Sequence, residues 1–382
     1  MKQSEKSGAS GRGNPSPKSG GHWQYILIAA VIVLGIVLTQ SLPKKPSDSG
    51  VNSQEQGNSA STESAFVWKT DNDMVWLPGG TFTMGNNQGN PDERPEHKVT
   101  LDGFWIDTHE VTNAQFKQFV EETGYVTVAE KQPSIDSIEG LDPSLVDPTA
   151  LMAGSVCFRI PDQPVTSLNN HLQWWTFVPG ANWRHPTGED SSIVGKDDHP
   201  VVHVCYEDAL AYCQWAGKRL PTEAEWEYAC RADSAPTKYV WGDEMKPDGR
   251  WLANIWQGDF PGGNTLEDKF MTSSPVKTFP PNAFGLYDMG GNVWEWVSDW
   301  YRPDYYSRSP ASNPQGPSSS YDPAEPNVRK RVTRGGSFLC SDVYCVGYRP
   351  SSRMKSAPDT GLIHTGFRCV SEAPAPESPS AD

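Results

Sequence analysis

The 382-residue chain is short of positive charge: 32 lysines and arginines face 47 aspartates and glutamates, for a net charge of -15. Phosphate backbones repel such a chain, which excludes general nucleic-acid binding. Hydrophobic residues make up only 36% and charged residues 21%, a composition that excludes a long helical bundle. The signatures of several enzyme classes are missing as well. There is no G-x-S-x-G turn for a hydrolase serine, no H-E-x-x-H helix for zinc, no Walker loop and no G-x-G-x-x-G dinucleotide turn. The eight histidines are scattered without metal-ligand spacing, so ordinary hydrogen bonding is expected of them, His203 and His364 included. No internal repeat is visible. Cysteine is sparse, and its count of seven is odd. That is not a disulfide scaffold, and at least one thiol is left unpaired within the chain.

Glycine (34), proline (33) and tryptophan (15) are abundant instead, as in a loop-rich globule stitched by aromatic rings. From Trp23 to Leu42 no residue is charged, and a helix of that length spans about 30 Å, the thickness of a bilayer core. Lys2, Lys6, Arg12 and Lys18 precede it, while only Lys44 and Lys45 follow closely. This bias predicts a basic cytoplasmic N-terminus over 1–22, a transmembrane anchor over 23–42 and a membrane-tethered body on the periplasmic or luminal side. The same segment also reads as a cleaved signal, because the apolar run from Ile26 to Leu38 is short and Thr39-Gln40-Ser41 offers small residues after it. Residues 43–65 are polar and poor in large apolar side chains, a disordered linker. One domain is expected over 66–371, with a disordered tail over 372–382.

Within that domain Thr112 and Gln115 form a capping box, followed by Phe116, Phe119 and Val120 on one face and Gly124 as a stop. A second helix is expected over 207–215, with Ala209, Tyr212 and Trp215 at helical spacing, and a third over 222–230, opened by Thr222 and Glu225. Segments 74–84, 99–106 and 331–338 read as brief strands between turn residues. Few helices among short strands is an α+β pattern.

The segment Arg334-Gly-Gly-Ser-Phe-Leu-Cys340-Ser-Asp-Val-Tyr-Cys345 carries two cysteines separated by four residues. Two soft sulfurs without nearby histidine favour Cu(I) over harder cations, whereas zinc wants four ligands. A structural disulfide has an equal claim in an oxidising compartment, and spacing alone leaves both open.

This stretch resembles the active-site segment of the formylglycine-generating enzymes, or sulfatase-modifying factors. Gly79-Gly-Thr-Phe-Thr-Met-Gly85, Gly180-Ala-Asn-Trp-Arg-His-Pro186, Arg219-Leu-Pro-Thr-Glu-Ala-Glu-Trp-Glu227, Gly291-Asn-Val-Trp-Glu-Trp296 and Gly366-Phe-Arg-Cys369 resemble that family in the same order. The resemblance implies an α+β fold of low regular secondary structure within the C-type-lectin-like superfamily. It implies oxidation of a cysteine in a Cys-X-Pro-X-Arg segment of nascent or unfolded sulfatases to Cα-formylglycine, with O2 as co-substrate. Cys340 and Cys345 would hold Cu(I), Ser337 and Tyr344 would stand beside it, Trp294 would line the pocket and His364 would touch substrate. Read from the residues alone, Ser337 is a strand residue and Tyr344 and Trp294 are core packing.

The resemblance also implies two calcium sites, one from Asn254, Ile255, Asp268 and Phe270 and one from Asp288, Gly291, Val293 and Glu295, several acting through backbone carbonyls. It pairs Cys213 with Cys369 as a disulfide. Cys230 matches a second family bridge whose partner position here is Pro350, so that bridge is absent; Cys157 and Cys205 have no counterpart, and two of these three could pair. The alternative function is a non-catalytic paralogue that binds a partner protein, with Cys340 and Cys345 as a disulfide. An iron-dependent sulfoxide synthase is disfavoured, because residues 1–65 cannot form the histidine-rich helical domain that accompanies that activity.

Overall fold

Pairing between strands distant in sequence organises the chain. The computed structural model describes residues 68–69, 73–133, 152–232 and 236–376. The expected N-terminal segment over 1–22, the anchor over 23–42 and the whole linker over 43–65 lie outside these residues. Among the described residues no helix is long and apolar enough to cross a membrane.

Among the described residues there are three α-helices: α1 (Asn113–Thr123), α2 (Tyr206–Trp215) and α3 (Glu223–Arg231). Helices α1 and α3 start where their capping boxes predict. Thr112 accepts the Gln115 N–H and Gln115 accepts the Thr112 N–H, with Thr222 and Glu225 repeating the exchange. Each box satisfies two N–H groups that a helix start leaves orphaned. Gly124 ends α1 in the left-handed region at φ 69°. Phe116 and Phe119 then pack edge-on against Trp183 and against Tyr212 of α2, respectively.

The strands are β1 (Trp68–Lys69), β2 (Met74–Leu77), β3 (Gly80–Met84), β4 (His97–Leu101), β5 (Phe104–Asp107), β6 (Gly154–Phe158), β7 (Trp175–Pro179), β8 (Trp294–Trp300), β9 (Arg331–Arg334), β10 (Met354–Ser356), β11 (Thr365–Gly366) and β12 (Val370–Ser371). One sheet runs β1-β2-β5-β12 and a second β10-β9-β8-β11, while β3-β4 and β6-β7 are hairpins. Among the strands of the described residues only β8 and β11 pair in parallel. Three expected strands are therefore shorter than their sequence pattern. The segment 74–84 breaks at Gly79, whose φ is +74° and where a Cβ would lie 2.3 Å from the Leu101 carbonyl oxygen. The segment 99–106 breaks at Asp102-Gly103. The segment 331–338 ends at Arg334, because Gly335 and Gly336 have φ of +91° and +77°, which no strand adopts. Ser337 thus sits in a turn rather than on a strand.

The C-terminal boundary also lies beyond Ser371. Glu372 pairs with Arg219 at 2.9 Å and the Pro374 carbonyl accepts the Trp105 indole N–H at 3.0 Å.

Candidate active site

Arg334, the last residue of β9, is wholly buried between two carboxylates of α3, Glu223 at 2.8 Å and Glu227 at 2.7 Å. Arg353 grips Glu223 and Arg231 grips Glu227, each at 2.7 Å. Burial alone would raise the Glu227 pKa, but Arg231 and Arg334 reverse that and hold it below the ordinary carboxylate range. Removing one partner from such a buried network costs about 3 to 5 kcal/mol, so the base from which the 335–345 loop springs is fixed. A Cβ on Gly336 would lie 2.6 Å from the Tyr348 nitrogen, and one on Gly347 would lie 2.3 Å from the Trp294 ring. Outgoing and returning chain therefore touch, with Trp294 laid across the returning segment.

The Ser341 carbonyl accepts the N–H groups of Tyr344 (3.3 Å) and Cys345 (2.9 Å). That single turn brings Cys340 and Cys345 side by side, with their Cα atoms 4.6 Å apart. Both are buried and packed with Trp294 and Tyr348. In this structure they are bonded to each other, so the thiolate pair expected from the sequence is present as its oxidised form. Ser337 is buried; its carbonyl accepts the Cys340 N–H at 2.9 Å and its hydroxyl accepts the Leu339 N–H at 3.3 Å. Ser341, a residue sequence reasoning missed, is buried with its hydroxyl unpartnered. Asp342 and Val343 are the exposed residues of the loop between the cysteines.

Tyr344 stacks on Phe260 with ring centroids 4.0 Å apart, and its hydroxyl receives the indole N–H of Trp175 at 3.2 Å. His364, for which the resemblance implies a substrate contact, lies beside Trp175. It is buried beneath the Trp175 ring, 4.9 Å between centroids. Burial, with His203 nearby, lowers its pKa to about 3, so the ring is neutral at physiological pH. Its carbonyl accepts the Trp294 N–H at 2.8 Å, a scaffold role.

Two oxygen-rich clusters support the loop. Cys340 O accepts the Trp256 N–H at 3.0 Å, and Asn292 O accepts the Phe338 N–H at 2.9 Å. In the first cluster the Asn254 side chain spends its N–H groups on Thr272 O and Asn292 Oδ1, leaving Oδ1 buried without a partner among the described residues. Asp268 Oδ2 is equally orphaned, and burial raises that carboxyl's pKa. The Phe270 N–H binds Asp268 Oδ1, and Ile255 O accepts the Gln257 amide. Two unpartnered buried oxygens fit a hard cation. In the second cluster the Glu295 carboxylate is already committed to Arg368 (2.7 Å to each oxygen) and Trp226 (2.8 Å). Asp288 is raised to about 6 by burial, and Gly291 and Val293 sit between these acids in the chain. A Cβ at Gly291 would lie 2.4 Å from Asn254 O, so the two clusters abut. The orphaned oxygen here belongs to Glu110, missed in the sequence, whose pKa burial and Asp288 push well up. Glu110 and not Glu295 is the side chain left free for a cation. Asn292 bridges the clusters, donating to Glu110 at 3.1 Å.

The remaining sulfurs lie in the core. Cys213 and Cys369 come within 3.1 Å but are unbonded; the expected pair is brought together without the expected bond. Cys157, Cys205 and Cys230 are buried and unbonded, with Cys157 and Cys230 in different core clusters. Burial raises Cys157 and Cys230 to about 12, which leaves them inert as thiols.

The family described as the sulfatase-modifying factor enzyme 1-like domain matches residues 60–373. A formylglycine-generating enzyme of Streptomyces coelicolor is 46% identical over 308 residues, which cover 78% of this chain and 89% of that protein. An inactive C-alpha-formylglycine-generating enzyme 2 of Mus musculus is 38% identical over 310 residues, covering 80% and 87%. Among solved structures, PvdO from Pseudomonas aeruginosa is similar with a TM-score of 0.52 at 26% identity, over 81% of this chain and 99% of that one. The order of the shared motifs, the low helix content and the mixed sheets agree with these likenesses, and the chain belongs to the sulfatase-modifying factor, or formylglycine-generating enzyme, family.

Proposed function

We propose that this protein oxidises a cysteine of sulfatase polypeptides to Cα-formylglycine. The observation that carries the reading is the Cys340–Cys345 pair, held by one turn on a loop anchored to a buried ion network. In balanced form, one substrate thiol R–CH2–SH with one dioxygen, two electrons and two protons gives one aldehyde R–CHO, one hydrogen sulfide and one water. A thiol reductant supplies the electrons. Hydrogen leaves the substrate Cβ, and water replaces sulfur at the resulting thioaldehyde carbon.

Reduction of the Cys340–Cys345 bond frees two adjacent soft donors, and this donor chemistry supports Cu(I) as the cofactor. Copper, when bound, supplies the oxygen redox chemistry that the side chains lack. The chain's own residues do the rest. The Trp294 ring and the packed loop keep water from the sulfurs, Ser337 fixes the approach of Cys340, and Tyr344, next in the chain to Cys345, has its hydroxyl held by the indoles of Trp174 and Trp175. Calcium is the ion that the two oxygen clusters suit, with Asn254 and Asp268 in one and Glu110 and Asp288 in the other. The uncharged segment 23–42 supports a membrane anchor that places the body outside the cytoplasm. That anchor requires fractionation with membranes and resistance to salt extraction, and soluble protein beginning near Leu42 would rule it out.

The second reading, a partner-binding module, draws on the bonded state of the pair and on the inactive relative. One experiment separates the two. The reduced, Cu(I)-loaded protein is incubated in air with a Cys-X-Pro-X-Arg peptide, and the product is read by mass spectrometry and hydrazide trapping. A trapped aldehyde supports the enzyme; unchanged peptide supports the module.

A further inference from the structure

Two indoles meet on one phenol oxygen. Trp175 Nε1 lies 3.2 Å and Trp174 Nε1 3.5 Å from the Tyr344 hydroxyl. An indole N–H donates and never accepts, and a phenol oxygen offers two acceptor positions beside its own proton. Both positions are occupied, and neither indole can receive the proton. Among the described residues no other hydrogen bond is made by that hydroxyl.

The arrangement is built rather than incidental. Neighbouring residues of an extended strand point to opposite faces, but Trp174, just before β7, has φ -129° and ψ -8°, and this break lets both indoles reach one oxygen. Both tryptophans are buried. Trp174 stands edge-on to Tyr344 and to Phe260, 5.7 Å from each, and His364 backs the Trp175 ring.

We propose that Trp174 and Trp175 are positioning residues that make Tyr344 a hydrogen-bond donor only, its proton presented to an acceptor atom of the substrate, an oxygen or a thiolate sulfur, over the Cys340–Cys345 loop. The inference rests on the reading of that loop as the reacting centre.

Trp175→Phe keeps a ring and removes one donor. It is expected to lower kcat on the Cys-X-Pro-X-Arg peptide about five- to tenfold, the worth of one aimed hydrogen bond, with KM little changed. Tyr344→Phe should fall at least as far, and adding Trp175→Phe to it should cost nothing more. A readout independent of turnover and metal is the pair of indole N–H resonances of Trp174 and Trp175, which should move upfield in Tyr344→Phe. Equal losses from Trp175→Phe with and without the Tyr344 hydroxyl, or indole resonances unmoved by Tyr344→Phe, would overturn the proposal. A wild-type protein without activity counts against the formylglycine reading instead, and the resonances still decide the positioning.

Discussion

Two sulfur pairs in this molecule invite opposite uses. Cys340 and Cys345 are five positions apart, joined by one turn, and flanked by the exposed Asp342 and Val343. Cys213 and Cys369 are 156 positions apart, buried where α2 meets the segment before β12, with 3.1 Å between sulfurs. A local pair can open and close without moving the fold, because its loop is held elsewhere, by Arg334 and by the backbone bonds to Trp256 and Asn292. A distant pair constrains two elements of the core, so its chemistry is felt as stability. The same element is therefore suited to a site in one region and to a brace in the other.

The largest expected break in the comparison comes from the local pair. Cys340→Ser or Cys345→Ser should lower aldehyde formation by more than about 100-fold, beyond what changes around a metal site usually cost, while leaving the melting temperature nearly unchanged. A large loss of stability in either variant would make this pair a brace as well.

The distant pair should behave in the reverse sense. If it closes in an oxidising compartment, Cys213→Ala should cost about 2 to 5 kcal/mol of stability, with turnover per folded molecule retained. Addition of reductant should erase most of the difference between wild type and variant, and a difference that persists would trace the effect to packing rather than to a bond.

Two buried histidines are His203, upstream of α2, and His364, upstream of Cys369. Burial lowers His203 to about 4 and His364 to about 3. A base with a depressed folded pKa binds fewer protons in the native than in the unfolded state, so its stabilisation is present above the unfolded value near 6.5 and is lost as pH falls towards 4. For His203 the loss amounts to about 3 kcal/mol. Denaturation curves from pH 7 to pH 4 measure it, and His203→Gln should flatten the slope; an unchanged slope would assign the acid sensitivity elsewhere.

Calcium removal is the smallest effect. Ligand at 100 times its Kd stabilises by about 2.7 kcal/mol, so chelation should lower the melting temperature. Asp268→Ala should abolish most of that response, and Glu110→Gln should remove the rest. A melting curve indifferent to chelator, with calcium loss verified by elemental analysis, would leave both clusters without an ion.

What was legible in the sequence was local. The capping boxes at Thr112 and Thr222 need only their own third residue, so α1 and α3 begin where the pattern says. The cysteine pair is visible in the sequence, but its spacing leaves metal and disulfide open, and only the resemblance of the surrounding segment points to a reaction. Strand ends were overextended because their stops depend on distant backbone, as at Gly79 against Leu101. Trp174 and Trp175 act on a residue about 170 positions away, and a strand pattern assigns neighbours to opposite faces. Glu110 reads as a lone acid between His109 and Val111, and only folding places it against Asp288 and Asn292. His364 is named by its family position for a substrate contact, and only folding shows that it packs under Trp175.

Aldehyde formation measured side by side in three reduced, Cu(I)-loaded proteins tests the central claim most directly: wild type, Cys340→Ser and Cys213→Ala, with a Cys-X-Pro-X-Arg peptide in air. Wild type and Cys213→Ala should yield trapped aldehyde at similar rates per folded molecule while Cys340→Ser yields none. Equal yields from wild type and Cys340→Ser, or no aldehyde from any of the three, would contradict the assignment of the reaction to the Cys340–Cys345 loop.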